Sequence, residues 1–550
     1  MRDASIRELQ AGTCWDLLVI GGGATGLGVA VDAASRGYHT LLLERGDFGE
    51  GTSSRSTKLI HGGVRYLEQG RVGLVRESLR ERALLLKNAA SLVRPIRFLV
   101  PAYTPWDRLR VRAGLRLYDA LAGGWKDDAR SGLGSGRPLG AEPNLVARAY
   151  VLPSRGVDAD GARRIWPGLP RVGLRGGTTF ADAQFDDARL AVALARAVHR
   201  LGSVALNYVE VVALTRGARG RVSGVVARDL DPGPDGATDL TDGSECGHIE
   251  VRAKVVVDAT GIFSERTRQL GIPGAGADRD PRLGPGAPRL EPGSPRLALS
   301  RGSHVVLGPE FVCSDHALLI PRTDDGRVIF AIPWSGHLLV GTTDIPVAEP
   351  NREPRPTRQE VDYLLRYVGA YLDPPPCLSD VRSVWAGIRP LVAGKPGAAT
   401  SRLSREHAIF EAIPGLVSVV GGKWTTYRSM AEAVVDRASI SGSLPRRASG
   451  TRSLPIEDPG DSGVEVAGES FVRRAVREEM ARTAEDLLAR RSRILFLDAR
   501  RARALAEPVA GLMAAELGRN EEWVEAQVRQ MVRLSEDYLP FGFEDGGSDA

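Results

Sequence analysis

The 550-residue chain is poor in cysteine: Cys14, Cys246, Cys313 and Cys377 are its only four, and they are scattered. None forms a C-x-x-C pair or stands at metal-ligand spacing from a histidine. A disulfide framework and a metal site are therefore not expected, and the thiols read as reduced, in a cytosolic setting. No run of about eighteen apolar residues occurs, so no bilayer-spanning helix is expected. Residues 1–12 carry charges but lack the apolar core of a signal peptide, so export by that route is not expected either. Charge of one sign does not prevail: 73 Lys+Arg stand against 68 Asp+Glu, a formal net charge of +5. That balance argues against nucleic acid as a partner and suits a phosphorylated substrate or an anionic membrane surface. The 43% of hydrophobic residues is ordinary globular usage, and the length accommodates two or three domains.

What is present is organised around residues 16–63. Asp16-Leu17-Leu18-Val19-Ile20 is an apolar run of buried-strand length, and it leads into Gly21-Gly22-Gly23-Ala24-Thr25-Gly26, a G-x-G-x-x-G spacing. Leu27 to Arg36 keeps a small, apolar face, so strand, tight turn and helix follow one another. Gly21 permits the reversal, Gly23 lets backbone approach a pyrophosphate, and Gly26 lets helix and strand pack closely. Phosphates then rest on free N–H groups at the helix N-terminus, where Ala24 and Thr25 stand. A second strand, Thr40-Leu41-Leu42-Leu43, ends in Glu44, at about the twenty-residue offset where a carboxylate accepts hydrogen bonds from an adenosine ribose. The glycines alone would equally make a ligand-free turn. Strand, glycines, helix, strand and acid in this order predict a dinucleotide-binding unit.

Downstream, Gly51-Thr52-Ser53-Ser54-Arg55-Ser56-Thr57-Lys58-Leu59-Ile60-His61-Gly62-Gly63-Val64-Arg65-Tyr66 resembles the stretch that lies along the flavin in the FAD-dependent glycerol-3-phosphate dehydrogenases. The resemblance continues through Asp186-Asp187-Ala188-Arg189-Leu190, Asp258-Ala259-Thr260-Gly261, Gly302-Ser303-His304, Ile332-Pro333-Trp334 and Gly341-Thr342-Thr343-Asp344. It ends with Gly387-Ile388-Arg389-Pro390-Leu391 and the run from Gly421-Gly422-Lys423-Trp424 to Arg428, covering about residues 14–535. It implies an α/β fold: a Rossmann-like FAD-binding domain, an antiparallel-sheet substrate cap domain and a small helical C-terminal domain. It also implies FAD as cofactor, sn-glycerol 3-phosphate as substrate, dihydroxyacetone phosphate as product and a membrane quinone as electron acceptor. An oxidase that uses oxygen and releases hydrogen peroxide is the alternative. The resemblance further implies a cytoplasmic protein, peripheral on the inner face of the cell membrane, and it admits a homodimer.

Along the chain, residues 11–90, 175–268 and 398–440 are expected to form the FAD-binding domain, and 91–174 with 269–397 the cap. A linker at 441–460 then leads to the helical domain at 461–540. Val72 to Asn88 has helical periodicity. In Pro105 to Tyr118, arginines interleave with Trp106, Leu109 and Leu117, which makes either an ordinary amphipathic surface helix or an interfacial helix on anionic lipid. A strand near Thr178, a helix from Asp186 to Leu201 and a strand from Val204 to Leu214 are expected on the nucleotide side. Val222 to Asp229 and Ile249 to Val257 predict a hairpin, which runs into the small residues of Asp258-Ala259-Thr260-Gly261. Residues 272–297, rich in Pro and Gly, are expected to be a surface insertion. Closely spaced strands at His304 to Leu307, Ala317 to Ile320, Arg327 to Ile332 and His337 to Gly341 predict the antiparallel cap sheet. Helical segments at Phe471 to Leu488, Asp498 to Leu517 and Glu521 to Tyr538 close the chain.

Oxidising a secondary alcohol at a flavin needs a hydride acceptor, a base for the hydroxyl proton and a grip on the substrate. The flavin is the first. For the second, His61 stands beside Gly62 and Gly63, which let backbone lie close to the isoalloxazine, and His304 competes with it; a packed structural histidine is the plain alternative for each. A phosphate dianion calls for the planar fork of arginine. The resemblance puts Arg65 and Arg389 in the substrate pocket, with Tyr66 as a further contact. Lys423, at the mouth of a helix, would stabilise negative charge developing on the flavin; a solvated lysine is its plain alternative. Catalysis is thus assigned to His61, Arg65, Arg389 and Lys423, and substrate binding to Arg65, Tyr66, His304 and Arg389. Beyond the glycine turn and Glu44, the expected cofactor contacts are Arg45, Thr52, Ser53, Ser54, Thr57, Lys58, Leu59, His61, Gly62 and Gly63. Val211 is expected at the adenine, and Ala259, Thr260, Gly261, Gly422, Lys423 and Thr425 on the opposite side.

Overall fold

The computed structural model describes residues 2–68, 70–123, 153–231, 248–270, 295–320, 323–393, 406–458 and 468–540. The expected insertion at 272–297 and the loop between the hairpin strands lie, but for their ends, outside the described residues. The first elements are α1 (Arg2–Gln10), β1 (Cys14–Ile20), α2 (Ala24–Ser35), β2 (Thr40–Leu43), β3 (Leu59–Ile60), α3 (Val64–Glu68), α4 (Val72–Asn88), β4 (Val93–Ala102) and α5 (Pro105–Gly123). Six strands follow: β5 (Arg155–Val157), β6 (Gly176–Phe185), β7 (Val204–Leu206), β8 (Val209–Arg216), β9 (Val222–Asp229) and β10 (His248–Asp258). Then come β11 (Leu297–Leu307), β12 (Ala317–Ile320), β13 (Ile329–Trp334), β14 (His337–Gly341), β15 (Ile345–Val347), β16 (Val381–Val392), β17 (His407–Ile413) and β18 (Leu416–Gly421).

The first sheet runs β17-β18-β10-β1-β2-β7, with β9 on β10 and β8 on β9. β1 is parallel to both neighbours, pairing Val19 with Val257 on one side and with Leu42 on the other. A parallel strand covered on both faces is apolar throughout, and Leu17, Leu18 and Val19 are fully buried. Leu17 and Val19 pack with α2 and with the helices Asp187–Arg200 and Tyr427–Ser441, whereas Leu18 and Ile20 pack with α1, β8 and β9. Each such side chain stabilises the fold by about 1.5–3 kcal/mol. The helix Asp187–Arg200 starts where it does because the Asp186 carboxylate accepts the N–H groups of Ala188 and Arg189, both at 3.1 Å.

The second sheet runs β15-β11-β14-β13-β12-β4-β6-β3, with β16 on β11 and β5 on β6. It differs from expectation in two ways. The strand near Thr178, expected on the nucleotide side, is β6, and it pairs antiparallel with β4 along all ten residues, from Val93↔Phe185 to Ala102↔Gly176. A ten-residue extended run satisfies its backbone only against a partner of its own length, and β4 is that partner. The sheet is also mixed, because β12 lies parallel to β4, pairing Ala317 with Phe98. These two strands are joined by a long excursion through the first sheet and not by a hairpin, so nothing forces them antiparallel.

The C-terminal region is helical but more broken than periodicity suggests. The helix Glu469–Glu479 stops at Met480, whose φ of +56° is left-handed, and a π-helical turn Asp486–Arg491 follows. Ile494–Leu497, Ala499–Ala504, Ala506–Leu517 and Glu521–Asp537 complete the module. It is fastened to β16: the Ser383 hydroxyl donates to Leu495 O at 3.0 Å and Val384 N–H to Tyr538 O at 2.8 Å. The stretch before it returns to α2, where the hydroxyls of Ser449 and Thr451 both donate to the buried Asp32 carboxylate.

Candidate active site

The glycine turn is built by close approach. A Cβ on Gly26 would overlap the carbonyl oxygen of Gly21, and Gly21 itself has φ +106° with its α-carbon against the Ala259 carbonyl. β1 and β10 therefore end side by side, Ile20 against Asp258, and their two turns face each other. Around Gly23 the space is open except for Ser53 Oγ, which accepts Ala24 N–H at 2.9 Å. The Glu44 carboxylate accepts Gly22 N–H at 2.6 Å and Gly46 N–H at 2.7 Å. Burial pushes its pKa up, and those two amide donors oppose the rise.

From this turn a cavity of about 1310 Å³ extends to α5, lined by both turns and by residues of the second sheet. Ordinary ligand pockets hold roughly 300–1,000 Å³, so a dinucleotide with a small substrate fits this space. The lining fits FAD as well: Gly23, Ala24 and Thr25 at the N-terminus of α2, the hydroxyl residues Thr52 and Ser53, and the small residues Ala259, Thr260 and Gly261 all border it.

At the far end, register decides what reaches the cavity. β11 and β16 pair His304 with Trp385, Gly302 with Gly387 and Ser300 with Arg389, so these residues share one face. The glycine pair leaves the middle of that face bare, and the Arg389 guanidinium lies over Gly302, where a Cβ would overlap it. Arg389 donates to Thr342 Oγ1 at 3.0 Å and to Thr343 O at 3.3 Å. Lys423, between Gly422 at φ +91° and the turn Trp424–Thr426, places Nζ 4.0 Å from the centre of the Tyr66 ring. His61 donates its backbone N–H to Thr425 Oγ1 at 3.3 Å. Arg389, Lys423, Tyr66, His61, Thr425 and His304 all line the cavity. Arg65 lies in the first turn of α3, and its side chain is outside the described residues.

The two candidate bases differ. His304 is 1% exposed, stacks on Trp385 at 4.0 Å, and shares a hydrogen bond of 3.0 Å with the Thr57 hydroxyl through Nε2. Burial, followed by the charges of Lys58 and Arg389, holds its pKa well below the usual imidazole range, so it stays neutral. Nδ1 has no hydrogen-bond partner among the described residues. His61 is half-buried at the cavity wall, which leaves it the better placed of the two.

Lys58 corrects an expectation. Its side chain does not line the cavity: it is fully buried and turned back onto the Asp187 carboxylate, at 2.7 and 2.9 Å, and the Ser54 carbonyl at 2.7 Å. The reason is electrostatic, since a buried ammonium requires a carboxylate and Asp187 is the one at hand. Burial and then the Arg493 guanidinium still push its pKa down to about 7. Ser54, whose carbonyl meets that ammonium, also stands off the cavity lining, as do Val211 on β8, Gly26, Gly62 and Arg45, which pairs with Glu210 at 3.1 Å. Gly62 is buried beneath Tyr118 and donates its N–H to Tyr118 Oη at 2.8 Å and to Asp182 Oδ1 at 3.2 Å.

Asp182 is a cavity residue that sequence reasoning missed. It accepts from Tyr118 Oη at 2.7 Å and from Arg82; burial raises its pKa while Arg82 opposes the rise. A lone acid in the small, apolar run Phe180-Ala181-Asp182-Ala183 is the one local signal of it. Trp424, which lies in the resembling run but was given no role there, donates its indole N–H to Ser53 O at 2.8 Å.

Comparison with known proteins agrees with this geometry. The family model described as FAD dependent oxidoreductase matches residues 16–428, and that of the C-terminal domain of alpha-glycerophosphate oxidase matches residues 464–524. The mitochondrial glycerol-3-phosphate dehydrogenase of Saccharomyces cerevisiae is 37% identical over 446 residues, 77% of this chain and 63% of that protein, so the match spans less than two thirds of the yeast enzyme. That of Homo sapiens is 32% identical over 603 aligned residues, covering 98% of this chain and 75% of the human one. Among solved structures, the glycerol-3-phosphate dehydrogenase of Bacillus halodurans complexed with FAD superimposes with a TM-score of 0.72 at 26% identity, over 98% of both chains. The chain belongs to the FAD dependent oxidoreductase family, among its FAD-dependent glycerol-3-phosphate dehydrogenases.

Proposed function

We propose that the cavity seats sn-glycerol 3-phosphate with its phosphate on Arg389, that His61 removes the proton of the secondary hydroxyl, and that the electrons pass on to a membrane quinone. FAD, when bound, supplies the hydride acceptor. Arg389 suits the phosphate because a guanidinium binds two oxygens of a dianion at once. Thr342 and the Gly302/Gly387 floor hold that guanidinium in place. An imidazole is the side chain suited to general-base work, and His61 lines the cavity, whereas the neutral, buried His304 orients Thr57. Lys423, steadied over Tyr66, offsets negative charge arising at the flavin end. The product of this chemistry is dihydroxyacetone phosphate.

The observation that carries the reading is the convergence of Arg389, His61 and Lys423 on the cavity that also contains the glycine turn. Anaerobic addition of sn-glycerol 3-phosphate to the purified yellow protein should bleach the flavin. A protein bleached by amino acids and not by this substrate would overturn it.

Support for this acceptor and this location comes from α5. Trp106, Leu109 and Leu117 are 68%, 59% and 49% exposed, and with Ala113 they recur at helical spacing on one face, flanked by the exposed Arg108, Arg110, Arg112 and Arg116. An apolar stripe edged with arginine is the composition of a helix lying on anionic lipid. The same helix borders the cavity through Arg110, Val111, Gly114, Leu115 and Leu117, and Phe98, Val100, Phe180, Leu319 and Phe330 supply apolar lining. That wall suits a quinone entering from the membrane, with the chain held on the inner face of the cell membrane. Among the described residues no helix is long and apolar enough to cross one. Replacing the four arginines with Glu should abolish co-sedimentation with anionic vesicles; unchanged co-sedimentation would refute docking through α5. Rapid peroxide release with no reduction of a quinone analogue would instead favour an oxidase.

A further inference from the structure

The turn Thr52–Ser54 has a front and a back. Its front meets the cavity: Ser53 Oγ takes Ala24 N–H of the glycine turn, and the Thr52 hydroxyl donates to Ile388 O at 2.6 Å. Its back is the Ser54 carbonyl, which accepts from two buried cations, Lys58 Nζ at 2.7 Å and Arg493 Nη2 at 2.9 Å. Asp187 lies between the same two, accepting from Arg493 at 3.2 Å as well as from Lys58, and it also accepts the N–H and hydroxyl of Ser56 at 3.0 and 2.7 Å and the Ala188 N–H at 2.9 Å. Arg493 is anchored in its own module by donation to Ala489 O at 3.0 Å. Trp334, Trp385 and Phe496 surround the cluster: Lys58 Nζ is 5.3, 4.7 and 5.4 Å from their ring centres.

This arrangement is costly for a module that needs only to be packed. Two buried cations share the Asp187 carboxylate, with Asp186 Oδ1 farther off at 3.7 Å from Arg493 Nε, and apolar residues of similar volume are generally as stable or more so. The cluster therefore calls for another reason, and what it touches is the rear of a cofactor-facing turn. The module grips the same segment a second time: Arg490 Nε meets Asp47 Oδ2 at 2.6 Å and Arg491 Nη2 meets Asp47 Oδ1 at 3.0 Å, with Asp47 fully buried between Glu44 and Glu50.

We propose that the C-terminal helical module retains the cofactor, with Arg493 as the positioning residue that holds the Thr52–Ser54 turn against FAD through the Ser54 carbonyl and Asp187. The inference rests on FAD occupying the cavity. Arg493 does not line the cavity and acts through the turn.

The test is the FAD dissociation constant of the full-length holoenzyme, read from flavin fluorescence released on dilution, alongside the melting temperature. Arg493→Met should weaken FAD binding by about tenfold or more, and Arg493→Lys, which keeps the charge but loses the fork, by about threefold. Arg529→Met, which removes an exposed ion pair with Glu525 elsewhere in the module, should leave the constant unchanged. A lowered melting temperature with wild-type FAD affinity in Arg493→Met would overturn the proposal, since a merely structural arginine behaves that way. If Arg493→Met fails to accumulate, Arg493→Lys decides, and wild-type affinity there overturns the proposal equally. A wild-type protein that holds no FAD would instead bring down the assignment of the cavity.

Discussion

At the glycine-turn end of the cavity, Gly21, Gly23 and Glu44 come from one strand-turn-helix-strand unit; at the other end, His61, His304, Arg389 and Lys423 come from four distant segments. The first end is shaped by backbone that cannot tolerate a Cβ. The second is shaped by the register of β11 on β16, where a slip of one residue would turn Arg389 away from the cavity. A ligand site made of local turns is robust to changes elsewhere but not to changes in itself, and an assembled site behaves in the opposite way.

Four experiments would break or sharpen that contrast. The largest effect belongs to Gly26→Val: with no room beside the Gly21 carbonyl, the glycine turn cannot close, and the protein should be recovered without flavin or not folded. A yellow Gly26→Val protein would remove the basis for calling the turn intolerant. At the other end, His61→Asn should keep its flavin yet slow anaerobic bleaching by sn-glycerol 3-phosphate by about a hundredfold or more; bleaching at the original rate would move the base elsewhere. Smaller still, Gly302→Ala should push the Arg389 guanidinium aside and raise KM for the substrate by about tenfold with flavin content unchanged. If KM holds and flavin is lost, the two ends are not separable as described.

The smallest effect tests the layer behind the turn. Unfolded, Lys58 titrates near its ordinary 10.5; folded, near 7. Between those values the unfolded chain binds more protons than the folded one, so this lysine makes stability rise with pH in that window and cost most below it. The difference in unfolding free energy between wild type and Lys58→Met should therefore climb from pH 7 to 9, by up to about 1.4 kcal/mol per pH unit. Parallel curves would mean that the ammonium keeps its proton throughout.

Some of this was legible in residues 16–63 because their chemistry is local. A glycine spacing, an apolar run and an acid at a fixed offset act on neighbours in the chain, so β1, α2, β2 and the turn between them stand where the pattern puts them. The hairpin of β9 and β10 was legible for the same reason. Lys58 was not. Its position in a cofactor-lining motif points toward the cavity, but Asp187 lies on the other side, and a buried ammonium follows its counter-charge. β6 was misplaced because burial on both faces looks the same in either sheet, and only pairing with β4 tells them apart.

Alone, then, the order of residues determined that a dinucleotide fold begins with the strand at Asp16 and where it turns, and its resemblance pointed to the side chains expected to carry the chemistry of a phosphorylated alcohol. Tertiary structure alone decided which of them face one another: that His304 is buried and neutral, that the Gly302/Gly387 pair makes room for Arg389, and that Arg493 reaches the back of the Thr52–Ser54 turn from the far end of the chain. The division has one physical cause. Backbone geometry is set by neighbours in sequence, whereas burial, counter-charge and register are set by neighbours in space, and no pattern within a single segment encodes those.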